Sequence, residues 1–375
     1  MFSSLLDGRN RSSHSSTEGA AAPSDGANLS AFKRREVLQG FGGMGLMSAL
    51  GLSGLPVSAQ TASGLIDTHH HFYPPAYQKA WFDWEDKRNI PHFPQQERWT
   101  KEGAVADMDR AGVRKSILSM ASTPGVWFDL PVPEINQMVR HVNDFGAQMV
   151  RDFPGRFGLF AALTMVDVES TLKEIAFVFD VLKADGVGIQ TNYGDKWPGH
   201  PDFAPIFQEL NRRKALVYFH PLAANCCARL NTGTFPAVIE VPHDTTRAIV
   251  NLLLSGSLAK FRDIKWLFSH AGGTIPMLAG RINFFHRNAK NAAEFAPNGI
   301  ESELKRLYYD TANATHPSSM ASLLKLVPSS QVVYGSDYPY VAMDTQATAL
   351  TQLELDAKVL QEIQYLNAQR LLSKT

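Results

Sequence analysis

Eight short apolar runs recur along this chain, most of them followed by a helical pattern, and that alternation constrains the fold more than any other feature. The runs cover residues 65–68, 115–119, 158–163, 186–191, 215–220, 264–269, 307–311 and 332–335. Helical periodicity is clearest over 105–111, 133–152, 168–183, 203–213, 245–260, 275–287 and 346–371. Strand alternating with helix predicts a parallel sheet covered by helices. Eight such units between about residue 60 and the end favour closure over an open, doubly wound sheet. The stretch is long for an ordinary domain but suits one barrel, for which roughly 250 residues are typical. No Gly-x-Gly-x-x-Gly turn follows any strand, which removes the main sign of a dinucleotide fold. The expected fold class is α/β: a (β/α)8 TIM barrel, a single domain over residues 60–375, after an N-terminal signal segment.

That segment is expected over residues 1–59. Residues 1–30 are rich in Ser, Ala and Gly without apolar periodicity, a composition that reads as a disordered leader. Lys33-Arg34-Arg35 then precedes a weakly apolar, Gly-rich stretch from Gly40 to Val57 and a small-x-small site at Val57-Ser58-Ala59. A charged start, an apolar middle and a small-residue end make a signal peptide. The arginine pair is similar to the twin-arginine export motif, with Lys33 where Ser or Thr is usual and Val37 where Phe is usual. The alternative is a membrane anchor or amphipathic helix, but spanning needs roughly 20 strongly apolar residues. The expected location is periplasmic or exported, or cytoplasmic if the leader is not used, with no membrane partner for the mature form.

Composition narrows the partners. The chain is 44% hydrophobic and 19% charged with a net charge of zero, which leaves no basic footprint for nucleic acid. Its two cysteines, Cys226 and Cys227, are adjacent. They offer neither a disulfide framework nor the spacing of a structural zinc motif.

Barrel enzymes place their chemistry at the C-terminal ends of the strands, and here those ends carry ligands. The first strand runs into Asp67-Thr68-His69-His70-His71. Alternate strand residues share a face, so His69 and His71 point one way and Thr68 and His70 the other. Two imidazoles on one face make half of a metal site; the bland alternative is a polar cluster on a loop. The fifth strand ends in His220-Pro221, the sixth in His270-Ala-Gly-Gly and the eighth in Asp337-Tyr-Pro. One histidine after an apolar strand is usually a satisfied core or capping residue. Four histidines and an aspartate at one end of a barrel are not explained that way.

At these residues the chain resembles the amidohydrolase superfamily, in the branch typified by aminocarboxymuconate-semialdehyde decarboxylase. The matching signatures are Ile66-Asp67-x-His69-x-His71, His220-Pro221, His270-x-Gly272-Gly273 with Pro276 and Gly280-Arg281-Ile282 downstream, and Gly335-x-Asp337-Tyr338-Pro339. Asp-Thr-His-His-His-Phe-Tyr-Pro at the start and Thr191-Asn192-Tyr193-Gly194 look closest to the 6-methylsalicylate decarboxylase-like members. The resemblance implies one divalent metal held by His69, His71, His220 and Asp337, with a water completing the site and His270 bonded to that water. Zn2+ suits such a donor set and Mn2+ is its rival. Strand 4 carries Gln190 and Thr191 in place of a carboxylated lysine, which argues for one metal rather than two. Arg281 matches an arginine that in the family reaches a substrate carboxylate in the neighbouring subunit, implying a homodimer.

Aromatic residues crowd the loops of that face: Phe72, Tyr73, Tyr77, Trp81, Phe82, Trp84, Phe93 and Trp99 after the first strand, Trp127 and Phe128 after the second, and Tyr193 and Trp197 after the fourth. They favour a flat, apolar carboxylic acid, with Trp99, Asn192, Tyr193 and Arg281 as candidate substrate-binding residues. Where the muconate decarboxylase has arginines ahead of its Met-Asp, this chain has Ala104-Val105-Ala106-Asp107-Met108, which disfavours a dicarboxylate. The expected activity is metal-dependent, non-oxidative decarboxylation of a small aromatic or unsaturated acid, with His270 or Asp337 as proton donor. The alternatives are hydrolysis or hydration on the same scaffold, and a non-catalytic metal-binding protein.

Overall fold

The computed structural model describes residues 64–121, 130–230 and 234–373. The leader, Trp127 and Phe128 lie outside the described residues. All eight apolar runs form strands: β1 (Leu65–His71), β2 (Val113–Ser119), β3 (Phe157–Ala162), β4 (Gly186–Gln190), β5 (Leu216–His220), β6 (Lys265–Phe268), β7 (Tyr308–Asp310) and β8 (Val332–Val333). They pair in parallel in sequence order. The ring closes through hydrogen bonds between the β1 and β8 segments: Thr68 N donates to Tyr334 O at 2.9 Å, Asp337 N to His69 O at 2.9 Å and His71 N to Tyr338 O at 2.7 Å. The covering helices are α1 (Lys101–Ala111), α2 (Val132–Asp152), α3 (Val168–Asp180), α4 (Ala204–Arg212), α5 (Glu240–Leu254), α6 (Ile275–His286), α7 (Pro317–Leu326) and α8 (Met343–Thr351). None of the described helices is long and apolar enough to cross a membrane. Cys226 and Cys227 are free thiols.

Strand alternation divides the core in two. Ile66, Ile117, Phe160, Leu216, Tyr218, Leu267 and Val333 fill the barrel interior, closed by Ala368 and Leu371 of the C-terminal helix. Their neighbours, Val217 and Phe219 of β5 among them, pack outward with the helices. Each buried aliphatic side chain contributes about 1.5–3 kcal/mol. Lys265 Nζ donates to Leu371 O at 3.1 Å, setting a cation on the last carbonyls of that helix.

One irregularity of β1 matters for the site. With Ile66 inside, strict alternation would send Thr68 and His70 inward. The pairing of β1 with β2 instead shifts register between Asp67 and His70, and a one-residue slip exchanges the two faces of a strand. His69 and His71 therefore face the interior. His70 packs away from it, stacked on Tyr338 at 4.7 Å.

Helices Pro75–Asp86 and Pro317–Leu326 are not among the expected stretches, Lys101–Ala111 starts earlier than residue 105, and two further stretches are broken. The stretch 245–260 begins earlier, at Glu240, and breaks at Gly256 with φ +77° before Ser257–Lys260. The stretch 346–371 is several pieces: Asp356 caps a new helix by accepting from Lys358 N at 2.8 Å, and a π turn covers Glu362–Leu366. That turn leaves Ile363 O to accept from Tyr334 N at 3.0 Å, tying the C-terminal segment to β8.

Gly335 sits where β8 passes β1. A Cβ there would lie 2.8 Å from His69 Cβ and 3.1 Å from Asp310 Cβ, closer than packed carbons tolerate. Gly335→Ala should lower stability by about 1–3 kcal/mol and displace His69. Urea denaturation checks the first effect and metal content the second; a wild-type midpoint would show that the seam yields.

Candidate metal centre and active site

The site is built on the closing seam. Asp67, fully buried, accepts from His69 N and Ser336 N, both at 3.0 Å, and from Ser336 Oγ at 2.6 Å. One carboxylate thus holds the turn of β1 that carries the histidines against the segment that carries Asp337. Asp67 belongs to the scaffold of the motif rather than to its donor set.

Five side chains meet above it. His69 Nε2 lies 3.1 Å from His71 Nε2 and 3.2 Å from Asp337 Oδ1, and His71 Nε2 is 3.1 Å from the same oxygen. The His220 ring stands 4.5 Å from that of His71 and 5.1 Å from that of His69. His270 Nε2 approaches Asp337 Oδ2 at 3.6 Å. Ligating atoms of His69, His220, His270 and Asp337 all lie within 4.8 Å of one another. The geometry therefore groups His270 with three of the four ligands expected from sequence, His69, His220 and Asp337, while His71 joins them through its contacts to His69 and Asp337. Several imidazole nitrogens and a carboxylate oxygen directed at one point fit a divalent ion. His71 Nδ1 lies 3.3 Å from Ser119 O, an acceptor that leaves Nε2 as the ligating nitrogen.

Without a metal the cluster is an electrostatic compromise. Burial opposes a charge on His69, but the carboxylates of Asp310 and Asp337 outweigh it and raise its pKa to about 10. His71 is lowered to about 4 by burial, against its bond to Asp337. Burial also lowers His220, reinforced by its histidine neighbours. Burial would raise Asp337, but the His69 charge and contacts from His270, His69 and His71 hold it well below the usual carboxylate range.

Two supporting residues were missed in the sequence: one ends β7 and the other lies in the loop that follows it. Asp310 Oδ2 lies 2.8 Å from His69 Nδ1, and Asn313 Nδ2 donates to Asp337 Oδ2 at 2.5 Å. The strand-end rule that exposed His220 and His270 would also have exposed Asp310, the last residue of its strand. Nothing local marks Asn313. Of the nine non-glycine residues with positive φ among the described residues, His270, Ala271, Asn313 and Asp337 all lie here. Such strain persists where surrounding contacts over-determine the backbone.

The other candidates have local partners of their own. Trp99 packs beneath the loop after β1 with Tyr73 and Phe145, and Phe72, Tyr73, Tyr77 and Trp81 are buried with it. Much of the expected aromatic face is thus core under a long loop. Asn192 Nδ2 donates to Leu222 O and Asp244 Oδ2; the Tyr193 hydroxyl accepts from Gln190 N. Arg281 is exposed on α6, its guanidinium 5.1 Å from the Phe285 ring centre. A cavity of about 10 Å³ beside His220 has room for about one water.

A family model described as Amidohydrolase matches residues 66–374. The chain belongs to the amidohydrolase family. This amidohydrolase is 35% identical over 294 residues to decarboxylase macB of Penicillium terrestre, covering 75% of this chain and 85% of that protein. It is 31% identical over 282 residues to 6-methylsalicylic acid decarboxylase of Penicillium expansum, covering 74% and 86%. Its fold matches the crystal structure of 5-carboxyvanillate decarboxylase from Sphingomonas paucimobilis with a TM-score of 0.75, at 23% identity, over 84% of this chain and 100% of that one.

Metal uptake by this amidohydrolase should displace the His69 proton. With His69 at about 10 and His71 at about 4 in the metal-free protein, the site binds one extra proton between those values. Apparent affinity should fall about tenfold per pH unit on acidification across that window and more steeply below it. Chelator competition against pH checks the slope; a flat profile would mean that His69 is not a ligand. His220→Ala should lose the metal and His270→Ala retain most of it, by elemental analysis.

Proposed function

We propose that this amidohydrolase is a metal-dependent, non-oxidative carboxy-lyase acting on a small aromatic carboxylic acid. The carrying observation is the intact cluster of four histidines and Asp337 at the strand ends, in a chain 35% identical to a decarboxylase over most of its length. His69, His71, His220 and Asp337 would hold one ion, Zn2+ by donor chemistry with Mn2+ as rival. When bound, the ion supplies fixed positive charge and Lewis acidity for the substrate's oxygen atoms.

The residues themselves divide the remaining work. Asp337 presents Oδ1 to His69 and His71 and Oδ2 to Asn313 and His270. As a metal ligand Asp337 would serve as a carboxylate, which leaves His270 as the proposed proton donor. As the bond to the carboxylate breaks, its electron pair stays on the ring carbon and takes the His270 proton. CO2 leaves, and solvent reprotonates His270 beside Asp337. An aromatic wall suits a flat substrate: Tyr340 lies 5.8 Å from His71, Phe93 lies 5.4 Å from Tyr340, and Phe235 lies 5.4 Å from Phe93.

The decisive test incubates the metal-loaded protein with hydroxybenzoic and methylsalicylic acids, muconates and simple lactones. Decarboxylation in D2O should place deuterium on the carbon that lost CO2, at a rate cut about 100-fold or more in His270→Ala. Turnover of lactones with 18-O incorporation, and no acid losing CO2, would replace the lyase with a hydrolase.

We also infer a homodimer built on α6. Met277, Phe284 and Phe285 are 73%, 68% and 61% exposed on that helix, beside Arg281, and clustered large apolar side chains mark an interface. Light scattering should give a dimer, and Arg281→Ala should raise KM while metal stays bound. An active monomer would remove the shared-site role.

A further inference from the structure

We propose that Asp310 is a positioning residue that selects the tautomer of His69, and so decides which ring nitrogen faces the metal. The inference rests on the reading of His69 as a ligand. Asp310 is fully buried at the end of β7. Its Oδ1 accepts from His270 N at 2.9 Å and from Ala312 N at 3.0 Å. Those two amides pin one oxygen and orient the carboxylate, leaving Oδ2 at 2.8 Å from His69 Nδ1.

A neutral imidazole has one N–H and one lone pair, whereas a carboxylate only accepts. Facing Oδ2, Nδ1 must carry the hydrogen. The lone pair is then on Nε2, the nitrogen directed at His71 and Asp337. A carboxylate behind a ligating histidine also raises its basicity and fixes its ring. Asp310 ties this choice to the His270 turn, because the amide it holds belongs to a residue at φ +54°.

The plainer reading is a strand-end cap, since the bond from Ala312 N is the local pattern of an Asx turn. Asn serves that role nearly as well as Asp, so Asp310→Asn separates the two. If the amide oxygen meets the two backbone N–H groups, its NH2 faces His69 Nδ1 and forces the hydrogen onto Nε2. If the amide flips, its NH2 meets two N–H donors. Neither orientation meets all three demands.

The experiment measures Zn2+ affinity by chelator competition for the wild type and Asp310→Asn, with 15N-histidine spectra of the Zn2+-loaded wild type. The expected result is about 10- to 100-fold weaker binding in the variant and a wild-type His69 protonated at Nδ1. Tight wild-type binding with unchanged affinity in a folded variant overturns this inference and leaves the metal reading intact. Should the variant not fold, the wild-type spectrum decides, and a proton on Nε2 overturns it. A wild-type protein that takes up no Zn2+ overturns the metal reading and this inference together.

Discussion

Closure of the barrel between its first and last strands is the constraint on which the rest depends. It joins residues separated by most of the described chain, and a single buried aspartate organises it. Asp67 receives two backbone amides and a hydroxyl from the two segments, and His70 Nδ1 lies 3.6 Å from its Oδ2. Removing such donors would leave a buried carboxylate without compensation, a cost of several kcal/mol. The His69–Asp337 pairing is a consequence of this seam, because Asp337 N bonds to His69 O just where the two side chains meet.

The site concentrates unfavourable features that the scaffold must offset. Histidines with opposed titration behaviour share a buried volume with two carboxylates, and four neighbouring residues adopt left-handed backbone conformations. A divalent cation would relieve much of this, because its charge replaces a proton shared among several acceptors. Supporting bonds come from elements that carry no ligand: Asn313 holds Asp337 and is held by Gln346 of α8, whose carbonyl accepts from Thr315 Oγ1. Preorganisation is therefore distributed over β7, its following loop and α8, well beyond the motif-bearing strands.

Much was legible in the sequence because both signals are local. Apolar runs of strand length do not depend on distant partners to be recognised, and all eight became strands in order. Polar ligands at the ends of β1, β5, β6 and the β8 segment could be located because the barrel rule assigns chemistry to one end of every strand. The family resemblance added its ligand set to those positions. Aromatic residues were less legible: composition cannot separate a ring lining a pocket from one under a loop, and the structure buries Trp99, Tyr77 and Trp81.

By itself the sequence determined the alternation of elements, the parallel sheet and which residues could serve as ligands, since these follow from periodicity and residue chemistry. Only the tertiary structure decided which face they occupy and what holds them. The register shift after Asp67 turns His69 and His71 inward when the parity set by Ile66 would turn them out, and such a shift arises from pairing with β2, not from β1 alone. Asp310 and Asn313 acquired their partners in the same way. Their hydrogen bonds to His69 and Asp337 span separations that no local pattern encodes, and they exist because closure brings the ends of β1, β7 and β8 together.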